Sequence, residues 1–333
     1  MSRVVKESAR ELCVLSVGEA LIDLIAVDAI DLSGAEHFLR AAGGAPANVA
    51  VAASRLGCRS ALVSCVAGDP FGRHIVDLLK LDGVLTSSVV MADRLTTRTT
   101  LALVARNSGG IPDFVFYRGA DAFLTPADVP EELIGLSRFL YVSSMALTGE
   151  PAASATHHAV ALAKRLGSLV AFDPNLRPSS WPSTVAAMEA IEPLLEASDV
   201  LKVNEEEALL LTGCRTATSA LEILAGSSVR LAVVTLAGEG CVWRRGADAG
   251  AVSSPIVEPA DTTGAGDAFV GALLVELCRR HPSGPLRLLL SSDIDASLRF
   301  ACAAAAFSCT RAGAMESLPH REQVEDLMGG DFH

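Results

Sequence analysis

Aromatic side chains are scarce in this chain, 5% of its 333 residues with two Trp and two Tyr, so its apolar half is mostly aliphatic. Ala, Leu and Val dominate, which suits helices packed on a parallel sheet covered on both faces. Positive charge is also short: 27 Lys plus Arg stand against 39 Asp plus Glu, a net charge of −12. That balance argues against nucleic acid as the main partner and leaves room only for a local basic pocket. No uninterrupted apolar run reaches the roughly 18 residues of a membrane span, and Ser2 to Arg10 lacks the apolar core of a signal peptide, so no membrane association is expected. The eight cysteines form no C-x-x-C pair and read as small core side chains of a reduced, cytoplasmic protein. Zinc-type ligand spacing is missing as well. Adjacent His157 and His158 cannot face one way on a helix and read as surface residues. The chain has no G-x-x-x-x-G-K-[ST] loop, and Phe269 stands where a dinucleotide fingerprint beginning at Gly264 and Gly266 needs its third glycine. No internal repeat is evident. Its length allows one large α/β domain or two smaller ones.

Against this background stands Asp261-Thr262-Thr263-Gly264-Ala265-Gly266-Asp267, which runs straight into the apolar segment Ala268 to Leu277. The glycines permit a tight turn, and the run behind them reads as a buried helix whose first-turn amides are left unpaired. Such a helix start favours anions, because its N–H groups and the positive end of its dipole point the same way. A carboxylate from Asp267 beside a held phosphate suits phosphoryl transfer: the amides stabilise the moving charge and the carboxylate accepts the attacking hydroxyl's proton. Asp is also an ordinary first-turn residue and Gly-rich turns are often only structural, so the spacing leaves both roles open.

Leu12 to Gly18 reads as a buried strand and Glu19 to Ile25 as a second extended segment. Within it Asp23 is a lone carboxylate that either faces a cleft or satisfies backbone donors. Gly43-Gly44-Ala45-Pro46-Ala47-Asn48 precedes the helical run Val49 to Leu56. Pro46 fits a first helical turn and the glycine pair admits a ligand close to the backbone, while Asn48 can cap, pack or hold ligand hydroxyls. Thr97 to Ala105 and Phe114 to Arg118, either side of the turn Arg106 to Gly110, predict an antiparallel hairpin. Inserted in an alternating strand and helix pattern, it suggests a lid formed together with residues near Leu21 to Phe38, its exposed face covered by substrate or a second subunit.

From Arg138 onward strands at Phe139 to Ser143, Leu169 to Asp173, Val200 to Val203 and Leu231 to Leu236 alternate with helical stretches and predict a doubly wound sheet. Ligands bind beyond the carboxyl ends of such strands. Polar clusters stand there: Asp173-Pro174-Asn175-Leu176-Arg177, Asn204-Glu205-Glu206-Glu207 and Thr235. Each alone is equally a turn or N-cap, but their repetition at equivalent edges points to one shared site. Ala301 to Phe307 reads as an Ala-rich helix, and Gly329 to His333 as a fraying end.

Gly43-Gly44-Ala45-Pro46-Ala47-Asn48-Val49-Ala50 and Asp261-Thr262-Thr263-Gly264-Ala265-Gly266-Asp267-Ala268-Phe269 resemble the two signatures of the ribokinase-like (PfkB) carbohydrate kinases, in the right order and over essentially the whole chain. Within that family the chain is most similar to the fructokinases, through Phe116 to Ala122, Phe172 to Arg177, Leu201 to Glu207, Thr310 to Ala314 and Ser317-Leu318-Pro319. The resemblance implies a doubly wound, mostly parallel α/β sheet with helices on both faces plus a small β-sheet lid. A single domain would span 1–333, with the lid drawn from about 20–40 and 95–120. It implies transfer of the ATP γ-phosphoryl group to a hydroxyl of D-fructose, with Asp267 as general base and the Gly264, Ala265, Gly266 backbone as anion hole. Arg177 would offset phosphate charge, Asp23, Gly43, Gly44 and Asn48 would hold sugar hydroxyls, and Arg118 would reach in from the lid. Asn204 and Glu207 match a pair that organises Mg²⁺ and phosphates through water, and Thr235 and Gly240 match the nucleotide loop. Asp261, Thr263, Ser308, Arg311, Gly313 and Ser317 align with oxygen donors, mostly carbonyls, of a monovalent-cation site that takes K⁺.

Two departures stand out. Ala237 occupies a position where glycine is usual, which implies a slightly altered loop still able to bond phosphate, and Arg177 to Trp181 is looser than the fructokinase pattern. Ribose and 2-keto-3-deoxygluconate are the rival substrates. A catalytically silent binding or scaffold protein is the rival of another class, and the missing dinucleotide fingerprint disfavours a dehydrogenase. A homodimer formed through the lid is expected.

Overall fold

A computed structural model describes residues 11–28, 31–106, 112–226 and 229–329. The polar stretch Ser2 to Arg10, the hairpin turn at Asn107 to Gly110 and the last four residues, 330–333, lie outside the described residues. In chain order the first half contains β1 (Leu12–Val17), β2 (Leu21–Ala26), β3 (Phe38–Gly43), α1 (Ala45–Arg55), β4 (Ser60–Ala67), α2 (Pro70–Leu81), β5 (Val89–Ala92), β6 (Leu101–Arg106), β7 (Pro112–Tyr117), α3 (Glu131–Leu136), β8 (Ser137–Val142) and α4 (Ala152–Leu166). There follow β9 (Leu169–Phe172), α5 (Thr184–Ala197), β10 (Val200–Asn204), α6 (Glu205–Thr212), α7 (Ala217–Ala225), β11 (Leu231–Thr235), β12 (Cys241–Arg245), β13 (Asp248–Val252), α8 (Ala265–Arg280), α9 (Ser291–Cys309) and α10 (Arg321–Gly329).

Nine strands make the large sheet in the order β13-β12-β11-β10-β9-β8-β1-β4-β5, parallel from β11 to β5 and antiparallel at β12 and β13. Its central strands are apolar on both sides because both faces are covered. Leu140 and Val142 of β8 pack toward α4, α5 and α7, while Phe139 and Tyr141 pack toward α1, α8 and α9. This is the doubly wound architecture anticipated from the alternation after Arg138. The hairpin β12–β13 was not anticipated: it is an edge, and only Cys241, Trp243 and Val252 bury apolar side chains there, too few for a periodic signal.

A separate four-stranded sheet, ordered β3-β2-β6-β7, carries β6 and β7 as the antiparallel hairpin read from the sequence. Its other half runs further than expected. β3 begins at Phe38 and continues to Gly43, pairing Asp23 with Ala41 and Leu21 with Gly43, so the glycine pair closes a strand before it opens a helix. Among the described residues no single helix is long and apolar enough to cross a membrane.

Candidate active site

Because β1, β8, β9, β10 and β11 run parallel, they deliver their carboxyl ends to one edge, and the small sheet stands opposite. Between them lies an open cleft lined by Asp23, Asn48, Phe114, Phe116, Asn175, Arg177, Gly264 and Asp267 among others. The two glycine-rich stretches, more than 200 residues apart in sequence, thus share one cavity.

Gly264 is the N-cap of α8 with φ 80°, the left-handed conformation in which a side chain is strained, and a Cβ there would approach Ala314 O to 3.0 Å. The turn starts a 16-residue helix at the cleft, with Ala265, Gly266 and Asp267 as its first three residues; the Ala265 amide donates to Thr262 O at 3.3 Å, and Gly264 and Asp267 line the cleft. Asp267 is buried, and its Oδ2 accepts a hydrogen bond of 2.7 Å from Asn48 Nδ2 on α1. Burial pushes the Asp267 carboxyl up to about 6. The Asn48 amide opposes the shift, Asp173 adds to it, and Lys202 and Arg177 offset it. Such a carboxylate is ionised at neutral pH and basic enough to receive a hydroxyl proton.

Asp23 sits on β2 where the small sheet meets α1. A side chain on Gly43 would run into Asp23 Oδ2, so the glycine is required for the close approach of the two strands. Gly44, at φ 102°, caps α1 and turns the chain from the small sheet into that helix. Burial drives the Asp23 carboxyl up to about 7, partly countered by Arg177 and reinforced by Asp267 and Glu316. Beside it Glu19, which the sequence did not single out, is buried at the end of β1. Its Oε1 accepts from Ala45 N at 3.2 Å, Ser143 Oγ lies 3.4 and 3.5 Å from its two oxygens, and burial raises it to about 7. Three carboxyls therefore crowd one cleft at elevated pKa, a pattern suited to a ligand rich in hydroxyl donors. Arg118 is held next door: it pairs with Asp121 at 2.8 Å and donates to Met145 O at 2.9 Å and Thr148 Oγ1 at 2.5 Å.

Further along the same edge Asn204 and Glu207 form a capping box at the start of α6. Glu207 Oε2 accepts from Asn204 N at 2.9 Å and Oε1 from Leu176 N at 2.7 Å, which ties the loop after β9 to the loop after β10. Thr235 ends β11 and donates to Val203 O at 3.4 Å; Gly240, at φ 104°, opens β12. Ala237 holds φ 48°, the left-handed conformation glycine would take, so the loop keeps its course with a strained alanine. Asp261 spans two loops, accepting from Thr263 N at 2.7 Å and Gly313 N at 3.1 Å. The Ser308 and Ser317 hydroxyls meet at 2.7 Å, and Arg311 stacks on Phe307 at 4.6 Å. Among the described residues no group of three or more His, Cys, Asp or Glu is placed to hold a metal ion.

The sequence quoted Asp173 and Lys202 in its motifs without a role, and the fold joins them. Lys202 Nζ lies 2.9 Å from Asp173 Oδ2, both side chains buried, and a Cβ on Gly266 would come within 3.3 Å of that ammonium. Burial pulls the ammonium down, but Asp173, Glu207 and Asp267 hold it above its ordinary value. No pattern in the sequence pairs them, since they stand on neighbouring strands 29 residues apart.

A family model described as pfkB family carbohydrate kinase matches residues 12–321. The chain is 39% identical over 325 residues to fructokinase-1 of Oryza sativa subsp. japonica, covering 96% of this chain and 99% of that protein. Its fold is similar to that of a fructokinase with bound ATP from Xylella fastidiosa, with TM-score 0.83 and 31% identity over 95% of this chain and 98% of that one. It is similar too to a double-mutant fructokinase from Vibrio cholerae O395 in a fructose, ADP and potassium ion bound form, with TM-score 0.84 and 33% identity over 96% and 99% of the two chains.

Proposed function

The chain belongs to the pfkB family of carbohydrate kinases, and on that premise we propose that it transfers the γ-phosphoryl group of ATP to a hydroxyl of D-fructose. The observation that carries the proposal is that Asp267, at the amide-rich start of α8, shares one cleft with Asp23 and Asn48. Asp23, Asn48 and the Gly43–Gly44 backbone hold the sugar hydroxyls, and Arg118 steadies the wall around Met145. Asp267 takes the proton of the attacking hydroxyl. The transferred group rests on the amides of Gly264 to Gly266, and Arg177 offsets its charge. Thr235 and Gly240 border the nucleotide. The small sheet covers the sugar and excludes water.

Asn204 and Glu207 satisfy each other's backbone, so they suit a hydrated Mg²⁺ held at one remove; when bound it neutralises phosphate charge. One buried carboxylate, Asp261, among loop carbonyls and the Ser308 and Ser317 hydroxyls fits a monovalent cation such as K⁺. It would brace the loops of Thr263, Arg311 and Gly313 beside α8.

A coupled assay of ADP release over fructose, ribose and 2-keto-3-deoxygluconate tests the assignment. Fructose is expected to give the highest kcat/KM, and a higher value for either rival would overturn the choice of sugar. Phe38, Val115 and Tyr117 leave apolar surface exposed on one face of the small sheet, which supports a homodimer formed there. Sedimentation at micromolar concentration is expected to show a dimer that Tyr117→Glu dissociates; a wild-type monomer would refute it. The described cysteines carry no disulfide, in keeping with a cytoplasmic setting, and a mainly extracellular distribution on fractionation would contradict it.

A further inference from the structure

One residue of the small sheet touches a charge of the large one beside the reacting groups. The Cζ atom of Arg177 lies 4.8 Å from the centroid of the Phe114 ring on β7. Two residues on, Ser179 Oγ donates to Phe114 O at 3.2 Å, so the same strand position is held twice. Phe114 in turn stacks on Phe116, centroids 5.7 Å apart and rings 11° from parallel, and both rings line the cleft. Arg177 Nη1 donates to Asn175 O and Leu176 O at 3.3 and 3.1 Å, and among the described residues no carboxylate pairs with it. What orients this half-buried guanidinium, apart from its own loop, is therefore an aromatic face on the other sheet. Its charge nevertheless acts on both Asp23 and Asp267, holding each below the value burial alone would give.

We propose that Phe114 is a positioning residue for phosphoryl transfer: its ring holds the Arg177 guanidinium at the cleft shared by Asp23 and Asp267, so the place of β7 sets where that charge stands. This rests on the kinase assignment above and adds a residue that no motif in the chain marks. It follows that movement of the small sheet over a sugar also moves a cation beside the transferred group, coupling coverage of the sugar to charge compensation.

The test compares wild type with Phe114→Leu, Phe114→Tyr, Arg177→Ala and the Phe114→Leu/Arg177→Ala double variant. Phe114→Leu is expected to lower kcat for fructose phosphorylation about 10-fold with the KM for ATP nearly unchanged, and Phe114→Tyr, which keeps the ring, to stay within about 2-fold of wild type. If the ring acts through the guanidinium, adding Phe114→Leu to Arg177→Ala costs little more than Arg177→Ala alone. Independent losses that multiply, or a Tyr variant as poor as the Leu variant, would overturn the proposal. A second readout needs no turnover: Trp181 lies at the end of the same loop, whereas the other tryptophan, Trp243, is only 1% exposed. Acrylamide quenching is expected to rise in Phe114→Leu, and unchanged quenching refutes the stack as the restraint. Should wild type leave fructose untouched, the choice of sugar falls, while the quenching result still decides the role of Phe114. Phe114→Met replaces Phe114→Leu if the latter melts far below wild type.

Discussion

Asp267→Asn is expected to lower kcat by about 100-fold to 10,000-fold, the span general-base catalysis commonly supplies, with little change in the KM for either substrate. The substitution is nearly isosteric, and an amide oxygen at that position still accepts the hydrogen bond that Asn48 now gives to Oδ2, so the cleft should keep its shape. The pH profile makes the test specific. With a carboxyl raised to about 6, wild-type kcat/KM should fall as pH drops through that value, because the protonated acid cannot take a proton, and should level off above about pH 7. Stability should move the other way. A folded-state pKa above the unfolded one stabilises the protein below the unfolded value, an advantage lost as pH rises through 6, so the unliganded Asn variant should melt at or above wild type at pH 8. Near-normal kcat, or a loss explained wholly by a lower melting temperature, would remove Asp267 from the chemistry.

The second large effect belongs to Lys202→Met. It leaves Asp173 buried, with the Asn175 amide at 3.1 Å as its remaining hydrogen bond. Removing one partner of a buried pair costs about 3–5 kcal/mol, which for a chain of this size lowers Tm by about 4–7 °C. Activity should fall as well, because the ammonium lies under the first turn of α8 and helps keep Asp267 ionised. Adding Asp173→Asn removes the stranded charge and should recover most of the lost stability without restoring activity. Thermal melts of the two variants at pH 7.5 decide the matter: a Tm within about 1 °C of wild type for Lys202→Met would show that the pair carries no such burden.

The parts of the site that could be read in advance are those whose chemistry is written into a short stretch of chain. Gly264 and Gly266 before an apolar run announce exposed amides, and Asp267 announces a carboxylate among them, wherever the helix finally lies. The Thr- and Phe-rich segments on either side of the Asn107–Gly110 turn announce a hairpin for the same local reason. Glu19, Lys202 and Phe114 gave no such signal. Glu19 looks like any acid at a strand end until Ala45 and Ser143 close around it, and Lys202 looks like a strand residue until Asp173 arrives from the adjacent strand. Phe114 passes for half of an apolar face until a loop from the other sheet brings Arg177 against its ring. The capping box of Asn204 and Glu207 was legible as a cap, but its tie to Leu176 was not.

The amino-acid order by itself determined the alternation of strands and helices and the amide-rich, Asp-bearing start of α8, because hydrophobic periodicity and turn glycines act over a few residues and need no knowledge of what lies across the molecule; the reaction class came from the resemblance of the two glycine-rich stretches to a kinase family. Only the tertiary structure decided which acids are buried together and how far their proton affinities rise, since desolvation and charge coupling depend on distances between segments that the chain separates by as many as 219 residues.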